Sequence, residues 1–446
     1  SLNGVFLGPF YYYLISIPYL LFSGSPISLL VWQIICFQAA VVYFWTTVSK
    51  KNTNFALIAS IFLLYSPVGF YTSRYFWNAN FMPFFSLVYL TLLYKSHYQD
   101  SAKNDFLVGL VSGLSLQIEA ALGILFLPFT LIYLFLTKST LPKYSRTIFA
   151  FLATLIPQLL FEIKHGFTMT KVFLSEITGT TSILGEKLTL ADRFIQRKEI
   201  FNGLIRESSH IPYEYLVPIY WLVFAFFIFF LFKDKSWLKE WPKNLSLVPL
   251  LLLIFASVFY LLFSSQVKAW YVLGLIIPII LFVSVQLARM LSSGILPKFF
   301  VVSLCCFTLY HAVIAQYQHI KNVYATTSND PSGFSNQLEI IDDVYKAAGG
   351  DSFRVYNYLP SIYDYPFQYL FWWYGNNRYG YMPNDLAYLP NQPEYIKDRE
   401  SFLRPVPTLN PNSKIFLIVQ RGENKTHLAE WFGNFAQYCQ LNVTKY

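Results

Sequence analysis

The sequence predicts a polytopic α-helical membrane protein with a small C-terminal extracytoplasmic α/β domain. Hydrophobic residues make up 55% of the chain and charged residues only 13%, against roughly 25% charged residues in a typical soluble domain. Apolar stretches recur as far as residue 316, and several reach the roughly 20 residues that a helix needs to cross a bilayer. Beyond residue 320 the chain becomes more polar, with strand-like segments at 353–359 and 415–421.

About ten spans are expected in a transmembrane domain of residues 1–318, which includes an outer loop at 165–212. The aromatic segment 8–22 is interrupted by a proline and predicts an interfacial helix rather than a span. Residues 319–446 are expected to form the α/β domain. Because the first methionine is Met82, we expect a fragment with one or more spans missing before Ser1. The expected spans are 27–49, 55–71, 81–95, 106–118, 121–137, 147–164, 213–232, 245–264, 270–289 and 298–316.

Lysine and arginine are distributed unequally between alternate short loops. The loops at 50–51, 95–103, 138–146, 233–243 and 289–298 hold thirteen of them, whereas the short loops between hold only Arg74 and Lys268. An excess of basic residues in short loops marks the cytoplasmic side. The sequence therefore predicts a multi-pass cell-membrane protein whose active site and C-terminal domain are extracytoplasmic.

The composition also excludes some classes of function. The net charge of +9 belongs largely to the membrane-anchoring loops, so it does not indicate a nucleic-acid partner. No Walker-type or dinucleotide-binding glycine motif is present, which disfavours nucleotide hydrolysis. The four cysteines have neither the spacing of a metal site nor that of a disulfide framework.

Polar residues that are unusual for their location gather at the predicted outer face. The short loop after the second span carries Arg74, Trp77 and Asn78, which suit a phosphate, a lipid tail and a sugar hydroxyl respectively. Gln117 and Glu119 lie between two closely spaced spans, where an ionisable group usually serves a site or faces water. The alternatives are an arginine anchored at the lipid headgroups and a solvated hairpin tip.

Two further groups occur at the outer ends of later spans. Glu162 and His165 are three residues apart and would share a helix face, where they can bind a phosphate or divalent ion, or form a structural pair beside Lys164. Lys268 precedes Trp270 and Tyr271, and is either a ligand for a phosphate headgroup or a basic anchor in an aromatic belt. No metal ligand set can be named from these residues.

The order of these motifs resembles bacterial GT-C membrane glycosyltransferases of the protein O-mannosyltransferase and aminoarabinose-transferase type. The resemblance covers roughly residues 1–316. It rests on the motifs Gly8-Pro9-x-Tyr11-Tyr12, Arg74-x-x-Trp77-Asn78 with Pro83, Gln117-x-Glu119 with Leu127-Pro128, Pro157 with Phe161-Glu162 and His165-Gly166-Phe167, and Trp270-Tyr271 with Pro278.

The resemblance implies a polyprenyl-phosphate-linked sugar as donor and a glycan, lipid or protein as acceptor. It also implies contact with membrane lipids and no nucleic-acid partner. It implies a catalytic carboxylate in the first outer loop, which would lie before Ser1 because residues 1–33 contain no Asp or Glu. Some relatives also use a divalent cation. Where relatives carry Gln-x-His, this chain has Glu119, so the role of that histidine is not transferred.

The predicted function is therefore transfer of a sugar to a lipid-linked, cell-envelope or protein acceptor on the outer membrane face. Arg74 and Lys268 are expected to hold the donor phosphate, because a leaving phosphate gains negative charge in the transition state. Asn78, Gln117 and Glu119 would orient sugar hydroxyls or the acceptor. The alternative is a non-enzymatic flippase or transporter of lipid-linked oligosaccharides, which would require a polar path across the whole bilayer.

Overall fold

The computed structural model of the protein describes residues 8–66, 75–178, 187–208, 217–233, 247–326, 333–358, 365–390, 413–419 and 427–444. The chain divides into two compact units, Ser1–Gln316 and Tyr317–Tyr446. Each unit has its own hydrophobic core within the described residues.

The first unit is helical throughout the part that the structure describes. Its last helix continues beyond residue 316. The helices are α1 (Phe10–Leu21), α2 (Pro26–Val48), α3 (Thr53–Tyr65), α4 (Met82–Tyr98), α5 (Ala102–Ile118), α6 (Ala120–Gly123), α7 (Phe126–Leu136), α8 (Leu141–Thr154), α9 (Ile156–Lys164), α10 (Thr168–Thr178), α11 (Leu190–Ser208), α12 (Val217–Lys233), α13 (Leu247–Leu262), α14 (Ile276–Met290) and α15 (Ile295–Thr326).

Three helical stretches of the described residues are long and apolar enough to cross a membrane by themselves. They are Pro26–Val48, Ala269–Met290 and Ile295–Asn322, and the pair α8 and α9 qualifies as a fourth if it is one broken span. The remaining predicted spans correspond to shorter helices in the described residues. The apolar helices agree with a membrane protein, and the number of ten spans stays a prediction.

Three predicted spans differ in detail from the observed helices. The span predicted at 147–164 is divided into α8 and α9, which meet at an angle of 48°. Pro157 lacks an N–H and cannot continue the hydrogen bonding of the preceding turn, which explains this break. The span at 121–137 is divided into α6 and α7, and that at 270–289 begins as a 3-10 helix, Ala269–Leu275.

The most extensive helix pair joins α5 to α8. Gly109 and Gly113 lie four residues apart on α5 and contact Thr147 and Thr154 of α8. A Cβ atom at residue 109 would meet the backbone carbonyl of Thr147, and one at residue 113 would meet the hydroxyl of Thr154. Small residues at this spacing allow two helix backbones to approach closely in a membrane.

Buried polar groups hold the other end of α5, near the predicted cytoplasmic loops. The Asp105 side chain is 1% exposed and accepts hydrogen bonds from Ser96 Oγ at 2.6 Å and from Arg146 Nη1 at 3.2 Å. Lys143 forms an ion pair with Asp100 at 3.1 Å and donates to the Ser96 carbonyl. Two of the loop cations thus connect α4, α5 and α8.

The second unit contains a three-stranded parallel sheet in the order β2-β1-β3, with side chains packed on both faces. Phe353 and Val355 face one cluster, whereas Tyr356 and Tyr358 face the other, as expected from the alternation along a strand. The strands are β1 (Phe353–Tyr358), β2 (Asp385–Ala387) and β3 (Lys414–Val419); the helices are α16 (Phe334–Ala348), α17 (Tyr365–Leu370), α18 (Asn376–Tyr379) and α19 (Leu428–Gly433), with a π-helix at Phe371–Gly375.

Candidate functional site

Glu119 lies in the one-residue connection between α5 and α6, outside both helices. Its backbone is extended, and its Oε1 atom accepts a hydrogen bond from the Ala121 N–H at 3.4 Å. This bond caps α6, which runs back along the last turn of α5. Gly123 permits this reversal, because a Cβ atom there would collide with the backbone of Leu116. The sharp turn places the Glu119 carboxyl at the tip of a helical hairpin.

Asn78 connects this hairpin to a segment about 40 residues earlier. It opens the 3-10 helix Asn78–Phe81. Its Nδ2 atom donates to the Ile118 carbonyl at 2.8 Å and to Glu119 Oε2 at 3.3 Å. Both side chains are buried, with Asn78 9% and Glu119 8% exposed. Two residues singled out in the sequence are therefore direct partners.

Burial controls the ionisation of Glu119. Loss of solvent raises the pKa of this carboxyl from 4.5 to about 7, and the hydrogen bonds from Ala121 and Asn78 offset only part of this effect. The group therefore changes its protonation state close to neutral pH. A carboxyl of this kind can accept a proton or a hydrogen bond from a sugar hydroxyl.

Aromatic rings from two distant segments lie next to this pair. The rings of Trp77 and Trp270 are 5.3 Å apart, and each contacts a tyrosine: Tyr75 for Trp77, and Tyr271 for Trp270. We call these four residues the aromatic cluster. Tyr75 is 66% exposed and Trp270 39% exposed, so the cluster is open on one side. The 3-10 helix Ala269–Leu275, which contains Trp270 and Tyr271, packs against α6 and against Asn78–Phe81, so these residues belong to the same part of the fold as Glu119.

Gln117 is directed to a different set of partners. Its Nε2 atom donates to the Thr154 carbonyl at 2.5 Å, beside the break between α8 and α9, and its Oε1 atom accepts from the Phe10 N–H at 3.2 Å. A Cβ atom at Gly8 would collide with the Gln117 side chain. The amide of Gln117 thus joins α5 to α8 and to the start of α1, while contributing no bond to Asn78 or Glu119.

The side chains of Glu162 and His165 bond to different groups in the structure. Glu162 Oε2 accepts from both the backbone N–H and the hydroxyl of Thr170, at 2.8 and 2.7 Å, near the start of α10. His165 is exposed, donates from Nδ1 to the Phe161 carbonyl at 2.8 Å and stacks on the Phe161 ring. The helix ends at Lys164, so the spacing of one helix face no longer applies at residue 165.

The structure describes only one of the two predicted phosphate ligands, Lys268. Lys268 is exposed, two residues before Trp270, and its Nζ atom is 3.5 Å from Gln266 Oε1. No carboxylate of the described residues forms an ion pair with it. Its ammonium group is therefore available at the edge of the aromatic cluster. Arg74 lies outside the described residues, and its role stays a prediction.

Two residues that stabilise the hairpin, Tyr260 and Arg197, were not predicted from the sequence. Tyr260 Oη donates to the Ala121 carbonyl at 2.8 Å, and Arg197 is buried and donates to the carbonyls of Tyr260 and Ser265 at 3.2 and 2.7 Å. Arg193, one turn earlier, donates to the Leu262 carbonyl at 3.2 Å. The spacing of the two arginines on α11 was a usable signal. Tyr260 gave none, because it lies inside an apolar run.

Among the described residues, no group of three or more His, Cys, Asp or Glu side chains is arranged to hold a metal ion. Glu119 contributes a single carboxylate at this site, and Mg²⁺ is commonly held by one or two carboxylates together with water and substrate phosphates. The divalent cation that the resemblance implies therefore stays a prediction.

One family model matches about a third of the chain. Residues 7–161 match the family model described as dolichyl-phosphate-mannose-protein mannosyltransferase. The match extends from the start of α1 into α9, includes Asn78, Gln117 and Glu119, and supports a GT-C type glycosyltransferase. It does not reach Lys268 or Tyr271. No curated protein matches the chain significantly.

One solved structure with similarity to the chain is the Archaeoglobus fulgidus oligosaccharyltransferase tethered through a disulfide bond to an acceptor peptide containing the NVT sequon. The identity is 14%, and the alignment covers 82% of this chain and 54% of that one, with a TM-score of 0.36. This chain thus spans about half the length of that protein. At this score the similarity carries no argument about the present protein.

Proposed function

We propose that this protein transfers a sugar from a polyprenyl-phosphate donor to a lipid-linked, cell-envelope or protein acceptor at the extracytoplasmic face of the cell membrane. The observation that carries the proposal is the contact between Asn78 and Glu119 beside the aromatic cluster. A buried carboxyl with a pKa of about 7 thus lies near the exposed rings, and Asn78, Glu119 and Trp77 belong to the region that matches the glycosyltransferase family.

Each part of the site has a distinct task in this proposal. Glu119 accepts a hydrogen bond or a proton from a hydroxyl of the sugar or the acceptor, and Asn78 fixes the orientation of the carboxyl. The aromatic cluster contacts the apolar part of the donor. Lys268, together with Arg74, neutralises the phosphate as the bond to the sugar breaks.

The two buried serines on α5 do not supply the polar path across the bilayer that the alternative, a flippase, would need. A flippase needs polar groups that face a path across the bilayer. The buried hydroxyls of Ser112 and Ser115 instead donate to carbonyls of their own helix, at Val108 and Val111. Their polar atoms are thus occupied locally, as is common for serine in membrane helices.

The direct test is a transfer assay with the protein in lipid nanodiscs and a panel of polyprenyl-phosphate sugars. We expect at least one donor to be converted to free polyprenyl phosphate, with the sugar recovered on a membrane or protein acceptor. Heat-treated protein is the control. If the whole panel is recovered unchanged while the protein is folded, the proposal of a polyprenyl-phosphate-dependent transferase is wrong.

Replacing Lys268 with alanine is expected to lower kcat/KM for the donor about tenfold, because one charged contact to the phosphate is lost. Lys298→Ala is the matched control, since Lys298 is also an exposed lysine, in the first turn of the apolar helix α15, and belongs to a predicted cytoplasmic loop. An unchanged kcat/KM in Lys268→Ala would reduce Lys268 to an interfacial anchor.

A further inference from the structure

The second unit contains an open cavity of about 560 Å³ that the proposed transfer step does not use. It lies on the sheet face of Tyr356, between the starts of β1 and β2 and the segment that follows α19. Binding pockets for small ligands commonly have volumes of about 300–1,000 Å³. The space is therefore sufficient for one or two sugar rings.

The charges at the cavity are balanced. Arg354 and Asp385 are register partners on neighbouring strands, and both line the cavity. Tyr356 donates from its hydroxyl to Asp385 Oδ2 at 2.6 Å, and the buried phenol fixes the carboxylate in place. One positive and one negative group leave no net charge, so the cavity favours an uncharged ligand over a phosphate or a polyanion.

The remaining lining is mostly polar, and Pro390 is its aliphatic member. Asn434, Gln437 and Tyr438 are exposed side chains of the segment after α19. Amide and carboxylate groups can each bind more than one hydroxyl, because they carry several donor or acceptor positions. The Tyr438 ring, 46% exposed, offers a flat apolar face. A lipid tail or an apolar peptide anchor would need an apolar pocket instead.

We propose that the second unit binds an uncharged oligosaccharide in this cavity. The sugar hydroxyls bond to Arg354, Asp385 and Gln437, while the C–H face of a ring packs on Tyr438. The proposal concerns binding alone and goes beyond the transfer reaction, so it stands or fails independently of the donor specificity.

The test is ligand-observed saturation-transfer NMR on the whole protein in lipid nanodiscs, with mannotriose, maltotriose and N,N′-diacetylchitobiose as probes. Maltoside detergents are avoided because their headgroup is itself a neutral sugar. We expect saturation transfer to at least one probe. Glucose 6-phosphate and glucuronic acid are the charged counterparts and are expected to give weaker signals.

Two pairs of variants locate the binding. Gln437→Ala and Tyr438→Ala are each expected to weaken binding about fivefold, the effect of losing roughly 1 kcal/mol of contact. Gln440→Ala and Phe432→Ala are the matched controls, since both residues are exposed in the same part of the chain and neither lines the cavity. Absence of transfer to all three neutral probes, stronger binding of a charged sugar, or equal losses in the control variants would overturn the proposal.

Discussion

Replacing Glu119 with glutamine is expected to lower the rate of sugar transfer about 100-fold, the lower range for loss of a positioned proton acceptor. Glutamine has one acceptor oxygen, which can replace Glu119 Oε1 towards the Ala121 N–H or Oε2 towards Asn78 Nδ2, but not both. The bond from Asn78 Nδ2 to the Ile118 carbonyl does not depend on residue 119. The variant cannot take up a proton in the same pH range, so it removes the ionisable group at nearly constant side-chain volume, and the measurement is kcat with saturating donor and acceptor.

Glu199→Gln is the matched control for this experiment. Glu199 is an exposed glutamate on α11, and its replacement is expected to leave the rate unchanged. If Glu119→Gln retains more than half of the activity, Glu119 acts only as a helix cap and the site must be centred elsewhere.

The same substitution has a consequence for stability as a function of pH. Because the pKa of Glu119 is raised from 4.5 to about 7, the folded protein holds a proton in this range that the unfolded chain has released. Stability is therefore greatest below the unfolded pKa and falls as pH rises through about 7, by an upper amount of about 3 kcal/mol. Melting temperatures measured between pH 5 and pH 8 should show this decline, and Glu119→Gln should flatten it, whereas Glu199→Gln should not.

Replacing Gly109 with alanine is expected to destabilise the first unit by about 1–3 kcal/mol, the usual range for overpacking. The added methyl group would meet the carbonyl carbon and Cα of Thr147 at 2.8 and 2.9 Å, so α5 and α8 must move apart. That movement strains the bond between Gln117 and Thr154 and the ion pair between Asp105 and Arg146. The measurement is the melting temperature in a fixed lipid or detergent environment.

Gly203→Ala provides the comparison, because Gly203 is also a helical glycine and a Cβ atom there meets nothing within 4 Å. Alanine is favoured over glycine in a helix by up to about 1 kcal/mol, so this variant should be equally or more stable than the parent. Equal loss of stability in both variants would show that the effect of Gly109→Ala is not due to the contact with α8.

Part of the site could be predicted from the sequence because its signals are local. Asn78 and Glu119 were singled out as polar groups beside apolar runs, and Trp77 and Tyr271 as aromatic neighbours of isolated cations. Their mutual contacts could not be predicted, since Asn78 and Glu119 are 41 residues apart and no periodicity connects them. For Gln117 the local signal was misleading. Its position beside Glu119 suggested that both side chains orient the same ligand, but its amide bonds to Phe10 and to Thr154.

The apolar helices could also be predicted, since a run of hydrophobic residues carries the information for membrane insertion in itself. Their breaks were less evident. Pro157 alone does not predict the break between α8 and α9. Proline is tolerated within membrane helices when neighbouring groups form hydrogen bonds with the backbone carbonyls that it leaves unpaired. In the second unit β2 was missed, because three residues are too short for an alternating pattern.

The all-parallel pairing in the second unit imposes an order on biosynthesis. β1 is the central strand, and its partner β3 begins 61 residues later in the chain, at Lys414. During translation the hydrogen-bonding edge of β1 therefore has no β3 to pair with until the residues from Lys414 onwards have left the ribosome, and exposed strand edges promote aggregation. A stop codon introduced before residue 414 would leave that edge permanently open, so such shortened chains should be targets of proteolysis even though the described helices of the first unit are already present.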